Sequence, residues 1–392
     1  MDVIRRGIVL AAAAMLVPSY AGAQGSDTVK VGLILPLTGP FASTGRQIEA
    51  AARLYMAQNG TTVAGKKVEL IVKDDTGTPD ITKRIAQEMV NDKVAVLAGF
   101  GLTPLALAVA PIATQAKVPE VVMAAGSSMI TEASPFIVRT SFTVAQSAAP
   151  MAEWATKNGI RKVVTIVTDF APGIDAEKAF SEPFVKAGGK VDNVRVPLRN
   201  PDFAPFLQRA ADEKPDALFV FVPSGVGAQL MKQYAERGLD KSGVRLIGPG
   251  DMTDDDILND MGDVAMGVIT TQFYSAAHPS PENKAYVDSF KKANKGMRPN
   301  FMSVGGYDGM HLIYEALKKT NGSTDGEKLV DAMKSMSWTS PRGPISIDPA
   351  TRDIVQNIYV RKVERVGGEL YNVEFATIPN VKDPVKAAAA KK

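Results

Sequence analysis

The feature that most constrains this chain is a repeated alternation of short apolar runs with longer amphipathic stretches. "TVKVGLILPLTGPFASTGRQIEAAARLYMAQNG" reads strand, loop, helix. Val29, Val31, Leu33 and Leu35 share one strand face, and Ile34 on the other implies that both faces are covered. Pro36, Gly39, Pro40 and Gly45 mark a loop, and a helix is expected from about Arg46, striped by Ile48, Ala51, Ala52 and Tyr55. The pattern recurs in "KVELIVKDDTGTPDITKRIAQEMVNDK" and "VAVLAGFGLTPLALAVAPIATQAKV", and "PEVVMAAGSS" supplies a fourth strand with its loop. A second series runs from "KVVTIVTDFAPGID" through "LFVFVPSGVGAQLMKQYAERG" to "VRLIGPGDMTDDDILNDMG". Strands alternating with helices predict parallel, doubly wound sheets, and two such series predict two α/β lobes. Within 392 residues there is room for both, and no Pro/Ser-rich linker separates them. After helices near 283–338, a hairpin is expected with strands near Gln356–Val363 and Leu370–Phe375 and a turn at Gly367-Gly368. The end, 381–392, reads as a flexible polar tail.

The N-terminus stands apart. Arg5 and Arg6 precede an apolar stretch, and Ala21-Gly22-Ala23 forms a cleavage signature. The stretch is too short for a membrane span. Residues 1–23 therefore read as a secretory signal, which places the mature chain outside the cytoplasm. No later segment has an apolar run long enough to cross a bilayer.

Composition excludes several chemistries. The chain has no cysteine, hence no disulfide, thiolate or cysteine metal site. Its net charge of +3 gives no argument for nucleic acid. The two histidines, His278 and His311, have no partner at metal-ligand spacing. No G-x-S-x-G elbow or P-loop occurs. "AGFGLTPLA" begins like a dinucleotide turn, but Pro104 stands where its third glycine belongs. The aspartates of "DMTDDDILND" lack the calcium-loop pattern and read mostly as charge favouring a helix N-terminus. Asp251 differs, because it follows Gly250 at a strand end. "KDDTGTPD" reads as a polar loop capping the next helix. No cofactor and no metal are expected.

In an open α/β sheet, ligands meet the loops after the strands. Here those loops are Phe41–Gly45, Leu102-Thr103, Ala124–Ser128, Phe170–Gly173, Pro223–Gly227 and Gly250-Asp251. They are rich in glycine, hydroxyls and aromatics and poor in catalytic groups. Such a surface holds a small molecule through backbone N–H groups and apolar contact rather than breaking bonds.

In this order, "VKVGLILPLTGPFASTG", "KDDTGTP", "VAVLAGFGLTP", "VPEVVMAAGSS", "FIVRTSFT" and "GYDGMHLIYEAL" resemble the leucine/isoleucine/valine-binding family of periplasmic solute-binding proteins, components of ATP-driven importers. The resemblance covers essentially the whole mature chain. It implies two lobes joined by three crossovers, with the ligand buried between them. Lobe one would comprise 24–143 and 276–340, lobe two 144–275 and 341–380. It also implies a ligand carboxylate held by the Thr103 hydroxyl and by the Ala124-Ala125-Gly126 loop, with Gly126 where the family tends to keep threonine and Ser127 able to supply a hydroxyl one place later. Pro172 stands near a tyrosine of the family, and Asp251 one step from its ammonium-pairing carboxylate. Either Asp251 takes that role or the ligand has no ammonium. The second case fits an aromatic acid walled by Phe41, Phe170, Phe273 and Tyr274. The expected function is capture of a small carboxylate-bearing solute, a hydrophobic amino acid or an aromatic acid, by a periplasmic monomer that delivers it to a membrane permease. A ligand sensor and a secreted enzyme on the same scaffold are the alternatives.

Overall fold

A computed structural model describes residues 28–199 and 201–390. The leader read at 1–23 lies outside the described residues. Two parallel-dominated sheets carry the fold. The first has six strands in the order Thr62–Val63, Lys66–Asp74, Thr28–Leu35, Val96–Gly99, Glu120–Val122, Ile137–Arg139. All neighbours are parallel except the short Thr62–Val63 edge. In the central strand Val31 faces Leu70 on one side and Val96 on the other. Its alternation covers both faces. Val31, Leu33 and Leu35 pack with Ile48 and Ala51, while Ile34 packs with Ile85 and Met89 in a separate core.

The first helix, Ala42–Asn59, begins four residues before the expected Arg46. Gly45, read as a loop glycine, lies in its first turn. A Cβ there would sit 2.2 Å from the Pro36 carbonyl oxygen, so the missing side chain lets the helix press against the preceding loop.

The second sheet has nine strands. Ile269–Gln272, Arg245–Pro249, Ala217–Phe221, Lys162–Thr168 and Lys190–Val196 are parallel in that order. Ile354–Val366 joins antiparallel to Ile269–Gln272, and Glu369–Val381 pairs with it as a hairpin. Both hairpin strands run longer than the sequence reading, which followed apolar residues only to Val363 and Phe375. Backbone pairing continues where side chains are exposed, so hydropathy underestimates the ladder. The turn lies at Gly367 and Gly368, with φ of +59° and +91°.

The chain passes between lobes three times. After Arg139 it enters the helix Val144–Lys157, which packs on Ala171–Lys186 of the second lobe. A capping box starts that helix: Thr143 accepts from the Gln146 N–H while the Gln146 side chain accepts from the Thr143 N–H. After Gln272 the chain returns through Pro281–Ala293 and Phe301–Lys319, which pack on Ala42–Asn59, and through Gly326–Met333, which packs on Phe301–Lys319. It then crosses again. Ser337–Ser340, assigned to lobe one by the sequence reading, is an edge strand of the second sheet. The segment 381–392, read as a flexible tail, contains an ordered helix, Pro384–Ala389. Asp383 caps it by accepting from the Val385 N–H at 2.9 Å, and Lys386 is buried. Among the described residues no helix is long and apolar enough to cross a membrane.

Candidate functional site

The carboxyl ends of the strands in both sheets converge on a cavity of about 380 Å³, its mouth included. From the first lobe come Phe41, Thr103 and the loop Ala124–Gly126; from the second come Phe170, Pro172 and Asp251. These are eight of the ten residues singled out in the sequence. Ser127 and Tyr274 do not line the cavity.

Local chemistry explains each position. Thr103 is the first residue of the helix Thr103–Ala116, with Pro104 behind it, which points that helix's N-terminus at the cavity. Its hydroxyl accepts from the Ser127 N–H at 3.3 Å. The loop after Glu120–Val122 is fixed by Ala125 N–H on the Phe100 carbonyl (3.0 Å) and Val144 N–H on the Gly126 carbonyl (2.9 Å). The Gly126 N–H has no acceptor among the described residues. A Cβ on Gly126 would lie 3.0 Å from Val144 Cγ2 and 3.2 Å from Phe142 Cζ. Glycine therefore allows the Phe142 ring to abut the loop and form an apolar wall.

The sequence reading missed Phe142, Phe221 and Met302 as lining residues. Phe221 stacks on Phe170 with ring centroids 6.2 Å apart. It ends a fully buried strand, so nothing in its periodicity separates it from core. Phe142 lies in the first crossover, and Met302 opens the helix Phe301–Lys319, whose start is fixed by Asn300 accepting from the Met302 and Ser303 N–H groups. Phe273 and Tyr274, expected as walls, are fully buried behind the cavity. Phe273 packs against Phe142 at 5.2 Å.

Ser127 faces the other lobe instead of the cavity. Its hydroxyl donates to Asp175 Oδ2 at 2.6 Å, and the Ser128 N–H donates to the same oxygen at 3.0 Å. Asp175 belongs to the helix Ala171–Lys186, so the two lobes are bonded across the cleft. Further bonds do the same: Asn300 Nδ2 donates to Asp254 Oδ2 at 2.9 Å, and the Ser43 hydroxyl donates to Asp256. The aspartates after Asp251 are thus mostly inter-lobe and buried partners, not simple helix-end charge. Asp254 also accepts from the Ser224 hydroxyl and Asp255 from Asn372 Nδ2. Burial, with Asp255 and Asp256 close by, pushes the Asp254 carboxyl well above its ordinary range. In "KDDTGTPD", Asp75 accepts from Gly77 N–H and the Thr82 hydroxyl, holding the next helix without reaching the cavity.

Asp251 is the one acidic residue lining the cavity. Burial pushes its carboxyl up to about 7, against the pull of Arg361 and of Gln272, whose Nε2 donates to it at 3.2 Å. Gly250 makes this possible, since a Cβ there would lie 1.8 Å from Arg361 Nη2. The cavity is thus lined by the bare Ala124–Gly126 backbone, by aromatic rings and by one carboxyl, that of Asp251. No histidine or lysine lines it. Among the described residues no cluster of His, Cys, Asp and Glu is placed to hold a metal ion.

A family model described as "Periplasmic binding protein" matches residues 28–369. The curated "Leu/Ile/Val-binding protein homolog 6" of Brucella melitensis is 45% identical over 93% of this chain and 95% of its own. A solute binding protein of an ABC transporter from Rhodopseudomonas palustris BisB5, solved with 3,4-dihydroxy benzoic acid, is 65% identical. The match covers 92% of this chain and 100% of that one, with a TM-score of 0.91. A solute binding protein from Rhodopseudomonas palustris HaA2, solved with p-hydroxybenzoic acid, is 42% identical over 92% of this chain and 100% of its own, with a TM-score of 0.89.

Proposed function

The chain belongs to the periplasmic binding protein family, and from that premise we propose that it captures a hydroxylated benzoic acid outside the cytoplasm and delivers it to the permease of an ABC importer. The observation that carries this reading is the cavity itself. Phe41, Phe142, Phe170 and Phe221 give flat apolar walls, the Ala124–Gly126 loop offers backbone to a carboxylate, and Asp251 stands opposite as a partner for a phenol hydroxyl. Aromatic rings suit offset or edge-on packing against such walls. The benzoic-acid complexes of the two Rhodopseudomonas proteins support the same class.

The mechanism is capture by closure. The first lobe offers the Thr103 end and the bare loop, and the second lobe brings Phe170, Pro172 and Asp251 over the ligand. The bonds from Ser127, Asn300 and Ser43 then hold the lobes together. The family model and the relatives describe binding proteins, which supports a role in binding rather than turnover.

A hydrophobic amino acid is the second reading, and Asp251 is what favours it, as a partner for an ammonium. Calorimetric titration with 3,4-dihydroxybenzoate, 4-hydroxybenzoate, benzoate and leucine separates the two. The hydroxybenzoates are expected to bind and leucine not to. Binding of leucine alone would overturn the aromatic-acid reading.

A further inference from the structure

The back of the ligand loop is as ordered as its cavity side. Arg139, the last residue of the strand Ile137–Arg139, is fully buried. Its Nη1 donates to the carbonyls of Ala125 (3.3 Å) and Phe142 (2.9 Å), and its Nη2 to that of Ser127 (2.8 Å). Its Nε lies 2.9 Å from Asp353 Oδ1. The other oxygen of Asp353 pairs with the Lys386 ammonium and accepts from the Thr131 hydroxyl. Lys386 is only 8% exposed and sits on the C-terminal helix. A row of buried charges, positive, negative, positive, therefore runs from the back of the loop to the end of the chain.

Two of the three peptide groups whose oxygens meet the Arg139 guanidinium belong to this loop. One joins Ala125 to Gly126, the other Ser127 to Ser128. A cation on a carbonyl oxygen polarises the whole peptide group and makes its N–H a stronger donor. In the second group that N–H already meets a carboxylate: Ser128 N–H donates to Asp175 at 3.0 Å. In the first group, the Gly126 N–H has no acceptor among the described residues, and Gly126 lines the cavity. The protein thus shows one of the paired peptides binding an internal carboxylate and leaves its twin free at the ligand site.

We propose that Arg139 is a positioning residue which, with Asp353 and Lys386, sets this loop's preference for an anionic over a neutral ligand group. Arg139 does not line the cavity. It acts by orienting and polarising the peptide that does. The proposal rests on the reading that the ligand is an aryl carboxylate.

Calorimetry with 4-hydroxybenzoate and 4-hydroxybenzamide tests it, because the two share ring and hydroxyl and differ in charge. The unaltered protein is expected to prefer the acid, and Arg139→Gln to lower that preference by roughly tenfold, about 1.4 kcal/mol, with little change in amide affinity. Equal loss for both ligands, or no loss, would mean that Arg139 only packs the loop and would overturn the proposal. Lys386→Met decides the matter should Arg139→Gln fail to fold. It leaves the Asp353 charge less compensated, so the preference should fall by about twofold to threefold. An unchanged preference in that variant would also overturn the proposal. An unaltered protein that binds neither probe overturns the aryl-carboxylate reading itself, and that outcome is seen before any variant is made.

Discussion

The proposed role of Asp251 joins ligand choice to pH response at a single residue. Its carboxyl accepts from Gln272 Nε2, and the residue lines the cavity. Asp251→Asn should cost hydroxybenzoates roughly tenfold in affinity, as expected for a hydrogen bond to a charged group, and leave benzoate within about twofold. Calorimetric titration of both acids checks this, and an equal effect on both would mean that Asp251 does not meet the ring hydroxyl. The pH response has a definite sign. A carboxyl pushed from 3.8 up to about 7 holds its proton more tightly folded than unfolded. Its favourable contribution is full below about pH 4 and is lost as pH rises through 7, so the substitution should flatten the stability profile across that window. Glu120 adds to the same slope: it is fully buried, its oxygens have no hydrogen-bond partner among the described residues, and burial raises its carboxyl well above the ordinary range. At this scale the sequence singled out Asp251 because it follows a strand and two glycines. It could not show that Arg361, 110 positions away in the chain, balances its charge.

The helix Ala171–Lys186 does two tasks at the level of the element. Its first turn brings Pro172 to the cavity, and one turn later Asp175 reaches the Ser127–Ser128 loop of the other lobe. Neither bond exists until the lobes meet, so both act on the closed state. Asp175→Ala should leave the association rate within about twofold and speed dissociation by roughly tenfold, because encounter occurs on the open lobes. Stopped-flow binding of 4-hydroxybenzoate measures both rates; an unchanged dissociation rate would remove the bond from any role in ligand retention. The C-terminal helix teaches a related lesson. Asp383-Pro384 is a good helix start, and that signal is visible in the sequence. The polar, alanine-rich composition after it suggested fraying instead. Lys386 is ordered by Asp353 and Thr131, partners far away in the chain, which no local pattern specifies.

For the whole molecule, the three passages between lobes converge on one buried ion pair. Asp308, on the helix Phe301–Lys319, accepts from Arg342 Nε and Nη2 at 2.9 and 2.7 Å, and from Ser340 Oγ at 2.7 Å. Arg342 in turn donates to the Thr140 and Ser141 carbonyls of the first passage and to Gln356 of the second lobe. Its guanidinium lies 4.8 Å from the ring centre of Phe273 in the second passage. Removing one partner from such a pair costs about 3–5 kcal/mol. Asp308→Asn is therefore expected to lower the unfolding midpoint and, by loosening all three passages together, to weaken ligand binding and enlarge the ligand-free radius of gyration. Small-angle scattering beside calorimetry checks this. A lower midpoint with unchanged scattering and affinity would confine the pair to stability.

What the sequence determined by itself is what short-range periodicity encodes. Alternation of period two and stripes of period 3.6 located the sheets, the helices and the strand ends, and the strand ends located eight residues of the cavity. The tertiary structure alone decided which side of each loop faces ligand, lobe or core. Ser127 shows why. Its hydroxyl has the same chemistry whether it meets a solute or Asp175, and the choice depends on a helix 48 positions away. Tyr274 and Phe273 read as walls for the same reason: an aromatic side chain after a strand suits a cavity and a core equally, and only the packing of the second lobe puts them behind it. The buried arginines complete the case. Arg139, Arg342 and Arg361 look like surface charge in the sequence, yet each is held inside by partners that only folding brings together.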